Sequence, residues 1–322
     1  PYEPSSDAGA LGTLLPKNHE AAVRKALDAI ATAHGSINKY VADKLEFTPK
    51  QLTDGLAAEQ IDAVALAIAR HEEGAAYING DQTGVGKGRV AAAMIRYAQL
   101  NGFVPVFFTE KPTLFVDIAR DMNDIGLEAK PFMVNAAKGK DVIELPDGTK
   151  LSQSRKDADL KFEEIVKLVE QGGSISDGDE GYNMIVVSYS QMQPVKRSLK
   201  ERHALINRIA PHSFMILDES HNAGGSGSGA ENEDGLTRAN IIRGFLGNTP
   251  GQYFSSATFA KSPFVMDLYS KTGMTAATND NAADLRQTIL DGGVPMQQVV
   301  SEMLVENGSY MRREKTYEGT EK

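Results

Sequence analysis

The chain has 322 residues, 34 basic and 43 acidic side chains, a formal charge of -9 and no cysteine. That length allows one large domain or two of ordinary size, and the charge argues against a protein whose main business is coating nucleic acid, because phosphate neutralisation needs clustered Lys and Arg. Without cysteine there is no disulfide framework and no thiolate cluster, so a metal must be held by oxygen or by the few histidines.

No stretch approaches the ~18 consecutive apolar residues of a membrane span. The first residues lack the basic start and long apolar run of a signal peptide. A soluble, intracellular (cytoplasmic) protein is expected, and the start at Pro1 suggests a piece of something longer.

Residues 1–16, rich in Pro, Gly, Ser and Asp, read as an extended arm. Ala22, Val23, Leu27 and Ile30 stand near helical spacing over 18–33, with Gly35 as the stop, and 37–46 is a second short helix. A stronger helix covers 57–74, with Ile61, Val64, Leu66 and Ile68 apolar and Gly74 at its end. The pattern then changes. Short apolar, strand-like runs at 75–79, 104–110, 182–189, 213–219 and 252–258 are separated by helical stretches at 87–100, 112–124, 158–171, 194–209 and 236–246. Strands alternating with helices of this length predict an α/β fold, a mostly parallel sheet covered on both faces. The unbroken apolarity of FMIL (214–217) marks a central strand.

Two segments interrupt the alternation. IELPDGTKL (143–151) carries a Pro-Asp-Gly turn and predicts a small hairpin. AGGSGSGAENEDG (223–235) predicts a flexible loop. Past Thr258 the pattern is helical again, in FVMDLYSKT (264–272) and beyond, and too short for a second sheet domain. The expected division is an arm with helices over 1–50, a sheet domain over 51–260 and a helical extension over 261–322. The densest basic run is 195–208, with Lys196, Arg197, Lys200, Arg202 and Arg208; a solvated helix face explains it as well as a nucleic-acid contact does.

The chemistry concentrates in two places. In GDQTGVGKGR (80–89), a strand-like run leads into a glycine-rich turn and then a helix starting near Lys87, the order that makes a phosphate-binding loop credible. Gly84 and Gly86 let successive amides face phosphate oxygens, the helix start adds unpaired amides, and Lys87 can neutralise the terminal phosphates. In FMILDESH (214–221), Asp218 and Glu219 sit where an apolar strand stops, suited to holding Mg2+ and the attacking water, with His221 two residues on.

Taken with SSAT (255–258), these stretches resemble motifs I, II and III of superfamily 2 helicases and translocases. More narrowly, GDQTGVGKGR resembles the strawberry notch family, in which Gly and then Arg follow the loop lysine. The resemblance runs from about Leu52 to the C-terminus and includes GGVPMQQVVSEM (292–303) and SYMRREKTYEG (309–319). It implies a RecA-like P-loop three-layer α/β/α domain with a helical N-terminal lead-in and a helical C-terminal extension. It further implies that ATP and Mg2+ are bound and that the chain is the first motor domain of an ATP-hydrolysing enzyme.

Under that resemblance, Lys87 binds the phosphates within a cradle made by Gln82, Thr83, Gly84, Val85, Gly86 and Gly88. Asp218 holds Mg2+ and Glu219 is the general base. His221 couples the site to Ser256 and Thr258, and Gln60 takes the position of an adenine-reading glutamine. Thr109, Lys111, Thr113, Ser188 and Tyr189 are candidates for meeting nucleic acid, with DNA favoured over RNA; each could equally be an ordinary strand-end or capping residue. Gly88 removes a hydroxyl ligand, leaving phosphates, waters and Asp218 to surround the metal, while Arg89 could add charge near the phosphates or face solvent.

The resemblance also implies a second RecA-like domain, missing here, whose arginines stabilise the transferring phosphate, an effect worth ~10³ or more in related phosphoryl transfers. Arg312 and Arg313 are not in a recognisable version of that motif, so weak ATP binding and slow hydrolysis are expected of this chain by itself. A phage or mobile element is a candidate carrier. The alternative from a different class is a nucleotide-binding interaction module that switches protein contacts without motor activity.

Overall fold

The computed structural model describes residues 1–194, 197–224, 238–258 and 282–316. The loop residues 225–235 and the stretch 264–272 singled out above lie outside them, as do Lys196 and the side chains of Arg197 and Lys200.

The N-terminal third is helical: α1 (Lys17–His34), α2 (Ile37–Leu45), α3 (Pro49–Gly55) and α4 (Ala58–Glu72). Local chemistry sets their starts. Ser36 caps α2 by accepting from the Lys39 amide, and Thr48 with Gln51 closes a capping box on α3, with Pro49 in its first turn. Helix α4 is buried over Ala58–Ile68, because it packs against α1, α2, α5 (Lys87–Leu100) and the sheet. Two of the buried groups are carboxylates, and they dock the arm. Glu59 accepts from the amides of Leu11 and Gly12, and Asp62 accepts from the amides of Ser5 and Ser6 and the Tyr2 hydroxyl. The arm is therefore fastened to the core, and its β1 (Thr13–Leu14) pairs antiparallel with β11 (Glu314–Lys315) near the C-terminus.

The central sheet has seven strands: β2 (Tyr77–Asn79), β3 (Val104–Thr109), β4 (Pro131–Met133), β7 (Met184–Ser188), β8 (Ser213–Leu217), β9 (Gly251–Ser255) and β10 (Tyr310–Met311). They lie in the order β10-β2-β9-β8-β3-β7-β4, and every pairing is parallel. Parallel strands need covered faces. Cover comes from α5, α6 (Phe115–Asp124), α7 (Arg155–Glu170), α8 (Arg197–Ile209) and α9 (Arg238–Leu246), with all five residues of β8 buried. The architecture is the RecA-like P-loop α/β/α fold with a mostly parallel central sheet and helical extensions at both ends.

The hairpin expected at 143–151 is present as β5 (Ile143–Glu144) and β6 (Lys150–Leu151). Five short elements escape sequence patterning: α3, β4, β10 and the paired β1 and β11. Of these, β10 arises where α10 (Ala282–Glu306), broken at Gly293, ends and the chain returns to pair with β2. The C-terminal extension is thus helix plus strap, the strap completing an edge of the main sheet. Among the described residues no helix is long and apolar enough to cross a membrane.

Phe108, fully buried on β3, stacks between Tyr189 and Phe245 at centroid distances of 5.9 and 5.5 Å. Phe108→Ala is expected to cost about 3–5 kcal/mol. Urea denaturation with an unchanged m-value checks it, and a loss below about 1 kcal/mol would show that the ring is not central to the core.

Candidate nucleotide site

The phosphate loop leaves β2 at Gly80 and enters α5 at Lys87. Gly84 and Gly86 have φ of +94° and +90°, conformations that favour glycine. A Cβ on Gly86 would also stand 2.1 Å from Gln60 Nε2. Gln60 is buried and occupied at both ends: its amide NH2 donates to the Val85 carbonyl at 3.1 Å, and its Oε1 accepts from the Ala57 amide at 2.9 Å. Through these two bonds Gln60, the candidate adenine reader, braces the loop.

Lys87 is buried and donates from Nζ to the Asp81 carbonyl at 2.6 Å, lying across the loop. Its ammonium is 4.0 Å from Glu219 Oε1. Thr83 and Gly84 are exposed, whereas Val85 is buried. Arg89 points away from the phosphates, donating to the Gly55 carbonyl at 2.9 Å and to Asp124 at 3.2 Å, so its charge secures α5 to α3 and α6.

Gly88 has a steric explanation. A Cβ there would fall 2.0 Å from Asp121 Oδ2. A side chain at this position would require the Asp121 carboxylate of α6 to move aside. Burial, the main cause, pushes Asp121 up to about 6; Arg89 opposes the shift.

At the end of β8, Asp218 accepts from the Thr109 hydroxyl at 3.1 Å. Burial, and then the neighbouring Glu219 charge, push it up to about 6, against the Thr109 hydrogen bond and Lys87. Glu219 has φ +43°, rare for a residue with a side chain. This backbone turn sends its carboxylate back toward Lys87 and to 3.4 Å from His221 Nδ1. The same imidazole nitrogen is 2.8 Å from Ser256 Oγ, and the Thr258 amide donates to that hydroxyl at 3.2 Å. Ser256 in turn donates its amide to the Asn79 carbonyl on β2 at 2.9 Å. The ends of β2, β8 and β9 are thereby joined in one polar cluster.

The nucleic-acid candidates divide. Thr109, Ser188 and Tyr189 are buried and engaged inside the protein: Thr109 on Asp218, Ser188 with Asn135, and the Tyr189 hydroxyl on the Asp218 carbonyl at 2.7 Å. Thr109 and Tyr189 brace the Asp218 turn, and Ser188 ties the end of β7 to Asn135. Lys111 and Thr113 are exposed. In the basic run, Arg202 pairs with Asp159 at 2.6 Å, and Arg208 with Glu163 and Glu170 at 3.0 and 2.8 Å, so both arginines join α8 to α7. Sequence reasoning missed Asn79, Asp81, Asp121 and the role of Arg313. Arg313 bonds to Asp81 from 232 residues away, beyond the reach of any local signal.

The cradle suits a nucleotide triphosphate: left-handed glycines, a helix start and a buried lysine aimed across the loop. For Mg2+ the chain offers Asp218. Among the described residues no group of three or more His, Asp or Glu could hold a metal, so at a metal on Asp218 phosphate and water oxygens would supply the rest of the shell.

A strand, a glycine loop with a buried lysine, and an acidic pair at the end of the strand next but one in the sheet define a P-loop NTPase. The sequence model of the family described as "P-loop containing NTP hydrolase pore-1" matches residues 26–322, and the chain belongs to that family. No curated protein matches. Similar solved structures include the Sulfolobus solfataricus SWI2/SNF2 ATPase core in complex with double-stranded DNA, at 10% identity and TM-score 0.48, covering 80% of this chain and 44% of that one. A nuclease-deletion mutant of the Type ISP restriction-modification enzyme LlaGI with a DNA substrate mimic has 16% identity and TM-score 0.39, covering 63% and 17%. An XPD helicase has 11% identity and TM-score 0.32, covering 78% and 50%. The chain thus spans half or less of the length of these structures.

Two outcomes are expected. Gly88→Thr lowers the melting temperature, an overpacking cost of about 1–3 kcal/mol, and adding Asp121→Ala to Gly88→Thr recovers most of it; a double variant no better than the single would clear Asp121 of blame. For Asp218, the folded pKa lies above the ordinary carboxylate value, so holding it ionised costs stability above pH 6, and that cost fades as pH falls through 6. Asp218→Asn should therefore raise the melting temperature of the nucleotide-free chain well above pH 6 and have progressively less effect below it.

Proposed function

We propose that the chain is the first motor domain of a superfamily 2-type helicase or translocase, resembling the strawberry notch family, that binds and hydrolyses ATP and acts on nucleic acid, with DNA favoured over RNA. The observation that carries it is the polar cluster running Lys87, Glu219, His221, Ser256. It puts the phosphate-binding lysine, a carboxylate base and a residue reporting on β9 within contact of each other.

In hydrolysis, water attacks the γ-phosphorus, the bond to the ADP oxygen breaks, and Glu219 takes the water proton. Lys87 leaves the Asp81 carbonyl for the terminal phosphate oxygens, and the loop amides of 84–88 orient the phosphate chain. Mg2+ beside Asp218, when bound, neutralises charge on the β and γ oxygens. His221, hydrogen-bonded to Ser256, passes any movement of the Glu219 carboxylate to the end of β9. Lys111 and Thr113, exposed beyond β3, face the candidate nucleic-acid side. The motor domain corresponds to residues 51–260, and a second RecA-like domain, outside this chain, supplies arginines to the transferring phosphate.

Phosphate release would be measured on this chain and on the two-domain protein, with and without single- and double-stranded DNA and RNA. Slow basal turnover by the chain and nucleic-acid stimulation of the two-domain protein are expected. Lys87→Ala and Glu219→Gln should each abolish turnover, Glu219→Gln with nucleotide binding retained. Turnover that no nucleic acid stimulates would sink the motor assignment and favour a nucleotide-switched interaction module.

A further inference from the structure

The leg of the phosphate loop that leaves β2 is bound along its length by the strap that follows α10. Gly80 and Gln82 donate their amides to the carbonyls of Met311 and Arg313 at 2.8 and 2.9 Å, extending the β2–β10 pairing past the sheet. A Cβ on Gly80 would stand 2.2 Å from the Tyr310 ring, so only glycine lets the two segments lie this close. Between those rungs the Asp81 carboxylate turns inward. Its Oδ1 accepts from the Arg313 amide at 2.8 Å and from Nε at 3.1 Å, and its Oδ2 accepts from Nη2 at 2.7 Å.

Both partners are sealed from solvent, Arg313 at 0% and Asp81 at 1% exposure. The Tyr2 ring lies 4.9 Å from the guanidinium, and its hydroxyl donates to Asp62 on α4 at 2.6 Å. The strap also brings Lys315 over the loop: its Nζ lies 3.8 Å from where a Cβ on Gly84 would be.

The place of this ion pair is what gives it a function. Asp81 is the residue whose carbonyl receives the Lys87 ammonium. Its amide donates to Asn79 Oδ1 at 3.0 Å, and the Asn79 carbonyl accepts from Ser256, the partner of His221. A forked guanidinium fixes both the position and the plane of the carboxylate it grips. The Asp81 carboxylate is held by three hydrogen bonds, and the Gln82 amide, in the same peptide plane as the Asp81 carbonyl, is bound to the Arg313 carbonyl, so the strap fixes the direction of that carbonyl and with it the resting place of Lys87.

We propose that Arg313 is a positioning residue of the nucleotide site: acting through Asp81, it holds the loop and Lys87 in the geometry that receives a nucleoside triphosphate, so the strap 309–316 sets nucleotide affinity. The inference rests on the loop's being a nucleotide site, as proposed above. It adds a component from the far end of the chain that no loop motif contains.

The test is equilibrium binding of a fluorescent ATP analogue with Mg2+ to the whole chain, with melting temperature measured on the same samples. Arg313→Lys keeps the charge and loses the fork, and should weaken binding about tenfold or more. Tyr2→Phe loosens the same region by removing the bond to Asp62 and should lower the melting temperature while leaving affinity within about twofold. Arg313→Lys binding within about twofold of the parent, or losses of affinity that simply track melting temperature across both variants, would overturn the proposal. A parent chain that fails to bind the analogue, or a Lys87→Ala variant that binds as well as the parent, would instead refute the nucleotide site itself. If Arg313→Lys does not fold, amide exchange on the unmodified chain decides. Nucleotide should slow the amides of Gln82 and Arg313 together, and protection of 82–89 with none at 310–316 would overturn the proposal.

Discussion

A guanidinium shut away from water must be neutralised where it stands, and in this chain the neutralising carboxylate is part of the phosphate loop. Removing either member of such a pair leaves an uncompensated buried charge, which costs about 3–5 kcal/mol. The Asp81–Arg313 pair therefore makes the loop's shape depend on a contact 232 residues long. Loop, strap and arm close together: Tyr2 lies on the guanidinium, β1 pairs with β11, and Asp62 and Glu59 pin the arm to α4. Without residues 309–316, Asp81 would be left in the core with no partner, and Gly80 and Gln82 would lose the acceptors of their amides.

The loop is also shaped by exclusion. Gln60 stands where a side chain on Gly86 would go, and Asp121 where one on Gly88 would go. In both cases a polar side chain of the scaffold fills the volume, so the glycines answer to packing as well as to backbone conformation. Opposite them, the acidic pair is held under tension, Asp218 pushed toward neutrality by burial and Glu219 in a left-handed backbone turn. A carboxylate resisting ionisation is one that an arriving cation would stabilise, and a strained turn keeps the second carboxylate aimed at Lys87 rather than at solvent. The groups that would meet a nucleotide are preorganised by residues that would not touch it.

Legibility in the sequence followed the range of the interactions. Where one element carried its own period, as in the helices over 87–100 and 112–124 or the apolar run ending at Leu217, type and place could be read directly, and strand-helix alternation implied a parallel sheet. The hairpin at 143–151 was readable from its Pro-Asp-Gly turn. Two- and three-residue strands such as β10 and β4 have no room for a period, and their existence depends on the neighbour they meet. Gly88 was readable as unusual, yet its contact with α6 was not, because nothing near Asp121 in the sequence points back to the loop. Thr109, Ser188 and Tyr189 were rightly placed at strand ends, but whether a strand end faces ligand or core depends on the loops folded over it. Tyr189 turned inward to the Asp218 carbonyl.

The same distinction bears on how a chain of formal charge -9 could meet nucleic acid. Of the basic run on α8, Arg202 and Arg208 are engaged by carboxylates of α7, so their charge is neutralised within the protein. Among the described residues, Lys111 and the hydroxyl of Thr113 beyond the end of β3, and Lys315 on the strap over the loop, are exposed beside the site. Each phosphate neutralised by a cation releases condensed counterions, and the steepness of salt dependence counts those contacts. A nucleic acid held by these two lysines alone would show a shallow salt dependence, and a steeper one would count further cations.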